Sequence, residues 1–306
     1  MLAGSLKVGV DENGLGPRLG PMVVTGVRAS VLGDVAAITE RAAALGVGDS
    51  KATGSHGAMR ALESRVLAVL DAHLGLRPAS LDALTAALSL RTDAELRALC
   101  PGGAAPEVCF GGGVPLPAFG GSIAEGAGAA GALREAGLTL EAARFVTVCA
   151  GRLNHESERG RSRFDLDLDA MVELVAALRG GASGDITAVC GKVGGRKSYV
   201  AAMDRLGALP VIVEERPERS AYRVRGVGEV SFARDADAGD VTVGLASMIG
   251  KYLRELLLER QHRWYAARVE GLKPASGYHD PVTARYVDAT KLVREREGVP
   301  DRCFER

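Results

Sequence analysis

Residues 8–21 read V-G-V-D-E-N-G-L-G-P-R-L-G-P: an apolar run ending on two adjacent carboxylates, Asp11 and Glu12, then a turn rich in glycine and proline. Carboxylates supply anionic oxygen, the ligand that a hard divalent cation such as Mg²⁺ takes. Neighbouring strand residues face opposite sides, so a site shared by both acids requires the strand to bend at the pair, which Gly14 and Gly16 permit. An Asp-Glu pair at a strand end also suits a plain solvated turn, and only context separates the two readings. A dinucleotide or P-loop phosphate site is disfavoured. G-L-G-P lacks the third glycine, Pro17 and Pro21 break the helix that should receive the phosphate, and G-K-V-G-G-R at 191–196 lacks the P-loop spacing.

Strands are expected over 6–10 and 22–31, joined by that turn, because both stretches are rich in β-branched residues. Apolar residues at helical spacing predict helices over 34–44, 56–74 and 80–99. The Gly/Ala/Pro-rich stretch 101–137 shows no period and is expected to be irregular. Beyond it come a strand over 145–149, an amphipathic helix over 166–178 stopped by Gly180-Gly181, and short apolar runs at 186–190 and 209–213 separated by a helical segment at 196–206. That order suggests a βαβ unit with the two strands parallel. Residues 222–232 alternate weakly, as an edge strand would, and helices are expected over 242–268 and 281–297. The whole is an α/β chain built on a mixed sheet.

The 306 residues suffice for a sizeable core, and 47% hydrophobic with 25% charged residues is the balance of a globular protein. Thirty-eight basic residues cancel thirty-eight acidic ones, so any nucleic-acid binding must come from local patches rather than a global positive field. No run of about 18 apolar residues occurs, and the N-terminal MLAGSLKVGV passes straight into patterned sequence, so a cytoplasmic protein without a membrane segment is expected. Five scattered cysteines without a C-x-x-C pair argue against a disulfide framework or a zinc site.

D-E-N-G-L-G-P-R-L-G-P resembles the N-terminal signature of ribonuclease HII, D-E-x-G-x-G-P-x-x-G-P, through Asp11, Glu12, Gly14, Gly16, Pro17, Gly20 and Pro21. The family's next element, D-S-K, is met by Asp49, Ser50 and Lys51. D-A-G-D-V-T-V-G-L-A-S-M-I-G-K resembles the family segment in which an Asp precedes the Ser of A-S-I-x-A-K by ten residues, which selects Asp237, with Asp235 and Asp240 as close alternatives. Ser247 and Lys251 then match the family's Ser and Lys, although a helix-packing serine and a solvated lysine explain them equally. G-Y-H-D-P-V-T resembles the G-Y-x-T region, where Tyr278 would contact the nucleic acid, or simply pack.

The resemblance implies an RNase H-like mixed β-sheet flanked by helices, spanning 1–255 with a Gly/Ala-rich insertion at about 55–140, and a helical C-terminal extension at 256–306 packed on it. It implies catalytic, metal-binding carboxylates at Asp11, Glu12 and Asp237 holding Mg²⁺ or Mn²⁺. Substrate contacts would come from Gly14, Leu15, Gly16, Lys51, Ser247, Lys251 and Tyr278. The partner would be an RNA/DNA hybrid or ribonucleotide-containing DNA, acted on by a monomer. Two such cations about 4 Å apart can activate water and stabilise the leaving oxygen in phosphodiester hydrolysis, and the glycine turn would read the 2′-hydroxyl.

The family's remaining acid lies on the strand of the expected βαβ unit, where this chain has Gly191. Asp185, about 20 Å away along that strand, cannot replace it. Glu214 or Glu215, after the next strand, could reach the site if that strand lies alongside, whereas Lys192 turned inward would oppose a cation. Three carboxylates are therefore expected to hold one metal, with cleavage slow or absent. The alternative is a catalytically inactive protein that binds hybrids through Arg18, Lys51, Lys192, Arg196, Lys197 and Lys251. A paralogue with an unrelated partner is the blandest reading.

Overall fold

The computed structural model describes residues 5–47, 56–103, 105–111, 113–180, 182 and 184–306. Asp49, Ser50 and Lys51 lie outside them. Seven strands form one mixed sheet: β1 Ser5–Asn13, β2 Met22–Val31, β3 Leu138–Val148, β4 Ile186–Gly191, β5 Pro210–Glu215, β6 Arg219–Val224 and β7 Gly228–Ala233, in the order β3-β2-β1-β4-β7-β6-β5. β1 is antiparallel to β2 and parallel to β4, which is in turn parallel to β7. The expected mixed β-sheet flanked by helices is thus met.

Helices cover both faces: α1 Val35–Ala44, α2 His56–Leu74, α3 Leu81–Leu88, α4 Asp93–Ala98, α5 Ile123–Glu135, α6 Ala150–Glu158, α7 Arg163–Arg179, α8 Val200–Met203, α9 Ala236–Gly239, α10 Val241–Ala266, α11 Pro281–Arg296 and α12 Asp301–Phe304. Val8 and Val10 of β1 share a core with Leu174 and Leu178 of α7 and Cys190 of β4. The opposite face is covered by α10 and α2, whose Ile249, Leu253 and Val66 pack with Val23 and Val27 of β2.

By alternation, Lys7, Gly9 and Asp11 turn towards α10. Lys7 Nζ donates to the Asp240 carboxylate at 2.5 Å, while the other Asp240 oxygen accepts from the Thr242 N–H at 2.9 Å and caps α10. Gly9 sits so close that a Cβ there would stand 2.2 Å from the Thr242 carbonyl carbon. Only glycine allows this approach, and Gly9→Ala is expected to cost roughly 1–3 kcal/mol by pushing α10 off β1. Urea denaturation checks it; unchanged stability would contradict the close contact.

Three local expectations are corrected. The helix over 80–99 breaks into α3 and α4 because Ser89 is extended and Thr92 starts a new helix, its hydroxyl and the Glu95 carboxylate forming a reciprocal cap. The stretch 101–137 is not wholly irregular. It contains α5, whose Gly126 would place a Cβ 2.1 Å from the Ser64 carbonyl oxygen of α2, so the glycines that weaken the helical signal are what let the two helices pack. Finally, β4 and β5 are not a parallel neighbouring pair. β5 pairs antiparallel with β6 at the far sheet edge, and residues 222–232 form the β6–β7 hairpin instead of an edge strand.

Candidate metal centre

β1 does not bend at the acidic pair. It stays in register with β2 through Asp11↔Thr25, Glu12↔Val24 and Asn13↔Val23, so the two carboxylates leave opposite faces of the strand end. The chain turns only afterwards, at Gly14 (φ 94°), and the turn closes at Gly20 (φ 85°). Both acids nonetheless line one cleft at the C-terminal end of β1 and β4, together with Gly191, Asp235, Asp237 and Ser247. A second pocket, lined by Leu96, Leu99, Phe110 and Leu257, is mainly apolar and shares no residue with it.

Ser247 of α10 donates its hydroxyl to the Asp11 carboxylate, and its carbonyl accepts from Asn13 Nδ2 at 3.2 Å. The Leu15 N–H donates to Glu12 Oε2 at 2.9 Å, which curls Glu12 over the start of the glycine turn. Asp237 lies in α9, and Asp235 just before it holds a left-handed backbone (φ 49°), a strained conformation for a residue other than glycine. Of the two alternatives to Asp237, Asp235 shares the cleft, whereas Asp240 is committed to Lys7 and the α10 cap.

Burial pushes the Asp11 carboxyl up to about 7, helped by the charges of Glu12 and Asp237 and opposed by the Ser247 hydroxyl. Glu12 is also raised by burial, against the Leu15 N–H and the charges of Arg306, Arg254 and Arg163. A third acid, this one fully buried, belongs to the same electrostatic group. Asp167 of α7 is 1% exposed, and its carboxyl is held well above the usual range by burial and by the charges of Glu12 and Asp11. Its Oδ1 has no hydrogen-bond partner.

Among the described residues, no group of three or more His, Cys, Asp and Glu side chains is arranged so that it could hold a metal ion as it stands. The donor chemistry still suits a hard cation: the acids at the strand end offer only oxygen, and one carboxylate oxygen of the nearby buried Asp167 on α7 is unsatisfied. Position 191 lies beside this group, since a Cβ there would stand 3.0 Å from Asp11 Oδ1. Lys192 lines the cleft, but its Nζ is directed to the Arg216 carbonyl, to which it donates at 2.7 Å. Glu214 and Glu215 are out of reach: β5 lies three strands from β4, with Glu214 paired to Arg219 and Glu215 accepting from the Tyr222 hydroxyl at 2.5 Å.

The glycine turn is clamped by cations that sequence patterning did not single out. Arg306 donates to the carbonyls of Gly14 at 2.5 Å and Gly20 at 2.6 Å, and Arg163 donates to the Leu15 carbonyl at 3.0 Å. A Cβ at Gly14 would stand 2.7 Å from Arg254 Nε, whereas Gly16 has open space around it. Tyr278 is exposed beside this turn: the Arg254 guanidinium lies 5.5 Å from its ring centre, and the neighbouring Gly277 carbonyl accepts from the Leu19 N–H. Lys251, one helical turn after Ser247, is half-buried and does not line the cleft. Of the expected groove cations, Arg18 pairs with Glu305 at 2.7 Å and Arg196 with Asp165 at 2.5 Å.

Among solved structures, the chain aligns with the PCNA:RNase HII complex from Archaeoglobus fulgidus at 16% identity, covering 98% of this chain and 93% of that one, with a TM-score of 0.45. It aligns with ribonuclease H2 from Pyrococcus horikoshii OT3 at 17% identity, over 98% and 92% of the two chains, with a TM-score of 0.49. For Bst-RNase HIII in complex with Mn²⁺ the identity is 17%, over 100% and 67%, with a TM-score of 0.46. The chain is similar over nearly its whole length to ribonucleases HII and HIII. No protein-family profile matches it, and no curated protein aligns with it.

Proposed function

We propose that this chain is a ribonuclease HII-like endonuclease, dependent on Mg²⁺ or Mn²⁺, that hydrolyses the RNA strand of RNA/DNA hybrids or cuts at ribonucleotides in DNA, as a cytoplasmic monomer. The observation that carries the reading is the convergence of Asp11, Glu12 and Asp237, the first two half-buried, on one cleft at the C-terminal end of β1. Nothing in packing requires ionisable acids there, and burying them is costly unless a positive charge joins them. Among the described residues, no helix is long and apolar enough to cross a membrane.

When bound, a divalent cation there supplies Lewis-acid stabilisation of the phosphate and an activated water. The chain's own residues set the stage. Ser247 fixes the Asp11 carboxylate from α10, and the Leu15 N–H fixes Glu12 from the turn. Gly16, with no neighbour to block it, lets backbone come close to a sugar, the approach needed to sense a 2′-hydroxyl. Tyr278 offers an exposed ring beside that turn for a base or sugar to pack on.

The second reading, a hybrid-binding protein without activity, is favoured by one observation: Gly191 offers no ligand atom beside Asp11. Against it, Arg18, Lys192 and Arg196 are engaged within the protein. Incubation with Mn²⁺ and a duplex carrying one ribonucleotide is expected to give cleavage at that position and none in the all-DNA duplex. Saturable gel-shift binding of the hybrid with no cleavage would overturn the nuclease reading in favour of the second.

A further inference from the structure

We infer that Asp167 supplies the carboxylate that position 191 lacks, so that the cation site takes its third strong ligand from helix α7 instead of strand β4. The inference rests on the reading of the strand-end acids as a cation site.

The sheet-facing stripe of α7 consists of Asp167, Met171, Leu174 and Leu178, spaced i, i+4, i+7 and i+11, and all four are buried. Its contacts give the direction of the helix along the sheet. A Cβ at Gly26, the residue paired with Val10, would touch Leu178 Cδ1 at 2.7 Å and Leu174 at 3.4 Å. One turn towards the helix start, Met171 Cε lies 3.9 Å from where a Cβ at 191 would stand. Asp167 is a further turn on, about 6 Å along the helix axis. That direction leads towards the end of β1, where Asp11 and Glu12 sit, with Met171 lining their cleft and Asp167 in the buried layer just behind it. Cys190 feels its charge there, and Asp167 in turn feels the charges of Glu12 and Asp11.

A carboxylate on an apolar stripe is costly to bury, and one with an unpartnered oxygen is costlier still. Asp167 is 99% removed from solvent, and its Oδ1 has no partner, while its neighbours Asp165 and Asp169 sit at the surface and bond Ser162, Arg196 and Arg161. Asp167 therefore does no capping or pairing work of the kind that explains the other acids of α7. The space at 191 fits the same account. With Asp11 Oδ1 only 3.0 Å from a Cβ at that position, an acid on β4 would crowd the Asp11 carboxylate, whereas Asp167 approaches from α7. Glycine at 191 and aspartate at 167 read as one exchange of a ligand between two elements.

The test is calorimetric titration of the full chain with Mn²⁺ alone at pH 7.5. Wild type is expected to bind. Asp167→Asn, which keeps shape and polarity but not charge, should weaken Mn²⁺ by about tenfold or more, the scale of losing a metal-site contact. Adding Gly191→Asp to Asp167→Asn should restore part of that loss, which no merely structural role for Asp167 explains. Asp167→Leu is the second variant, with the same expected loss, and circular dichroism confirms that each variant folds. Wild-type affinity in either folded variant overturns the inference while leaving the cation site intact. No binding by wild type overturns both the inference and the reading beneath it.

Discussion

Asp11→Asn is expected to lower Mn²⁺-supported cleavage at a ribonucleotide by about 10³-fold or more, and at the same time to raise the melting temperature by a few degrees. The two effects share one cause. Asp11 is half-buried, faces the charges of Glu12 and Asp237, and has its carboxyl pushed up to about 7. At pH 8 its negative charge is a cost to the fold that the Ser247 hydroxyl offsets only in part. An amide keeps the shape and still meets the hydroxyl, but it contributes no charge to a cation. A merely structural Asp11 would show the reverse pattern, with lower stability and unchanged cleavage. Thermal melts in EDTA and single-turnover cleavage in Mn²⁺, on the same preparations, separate the cases.

Stability in EDTA is expected to fall as pH rises from about 4 to about 7. Asp11 has an ordinary pKa of 3.8, raised to about 7 in the folded chain. Between those values the native protein holds a proton that the unfolded chain has released, so folding is favoured at the acid end and loses that advantage as pH climbs through the folded pKa. For Asp11 alone the change is on the order of 4 kcal/mol. Glu12 and Asp167 are raised as well and act in the same direction. Glu95, Glu125, Asp165, Glu215 and Asp280 have lowered carboxyls and act oppositely, but they are exposed or only slightly buried; His73 and His262, lowered by burial, also oppose the slope. Urea denaturation at a series of pH values gives the slope. Millimolar Mn²⁺ should flatten or reverse it, and Asp11→Asn should remove most of it. A level profile in EDTA would mean that the carboxylates are solvated.

Several parts of this arrangement were legible in the sequence because local chemistry dictates them. The β-branched runs gave β1 and β2, and the Asp-Glu pair with its glycine turn marked the strand end. The ten-residue count back from Ser247 put Asp237 in the same cleft. Pairing partners were not legible. The apolar runs of β4 and β5 look alike, but β5 follows a short helical turn and joins a hairpin at the sheet edge, which removes Glu214 and Glu215 from the site. The bend expected at the acidic pair is absent because Asp11, Glu12 and Asn13 stay paired with β2.

Asp167 was hidden for a different reason. R-F-D-L-D-L-D-A-M alternates acid and apolar residues, so the three aspartates look equivalent until the stripe through Met171, Leu174 and Leu178 singles out the middle one. An acid at a core position of an amphipathic helix was the available signal. The clamp of Arg163, Arg254 and Arg306 gave none, because its members are widely separated in the chain and each looks like a surface charge.

The central claim, that the acids at the end of β1 form a cation site, is tested most directly by titrating the wild-type chain with Mn²⁺ calorimetrically at pH 7 in two buffers of different ionisation enthalpy. Saturable binding accompanied by proton release is expected, because carboxyls held up by burial must lose their protons to take the metal. A folded chain that shows no heat of binding at millimolar Mn²⁺ would contradict it.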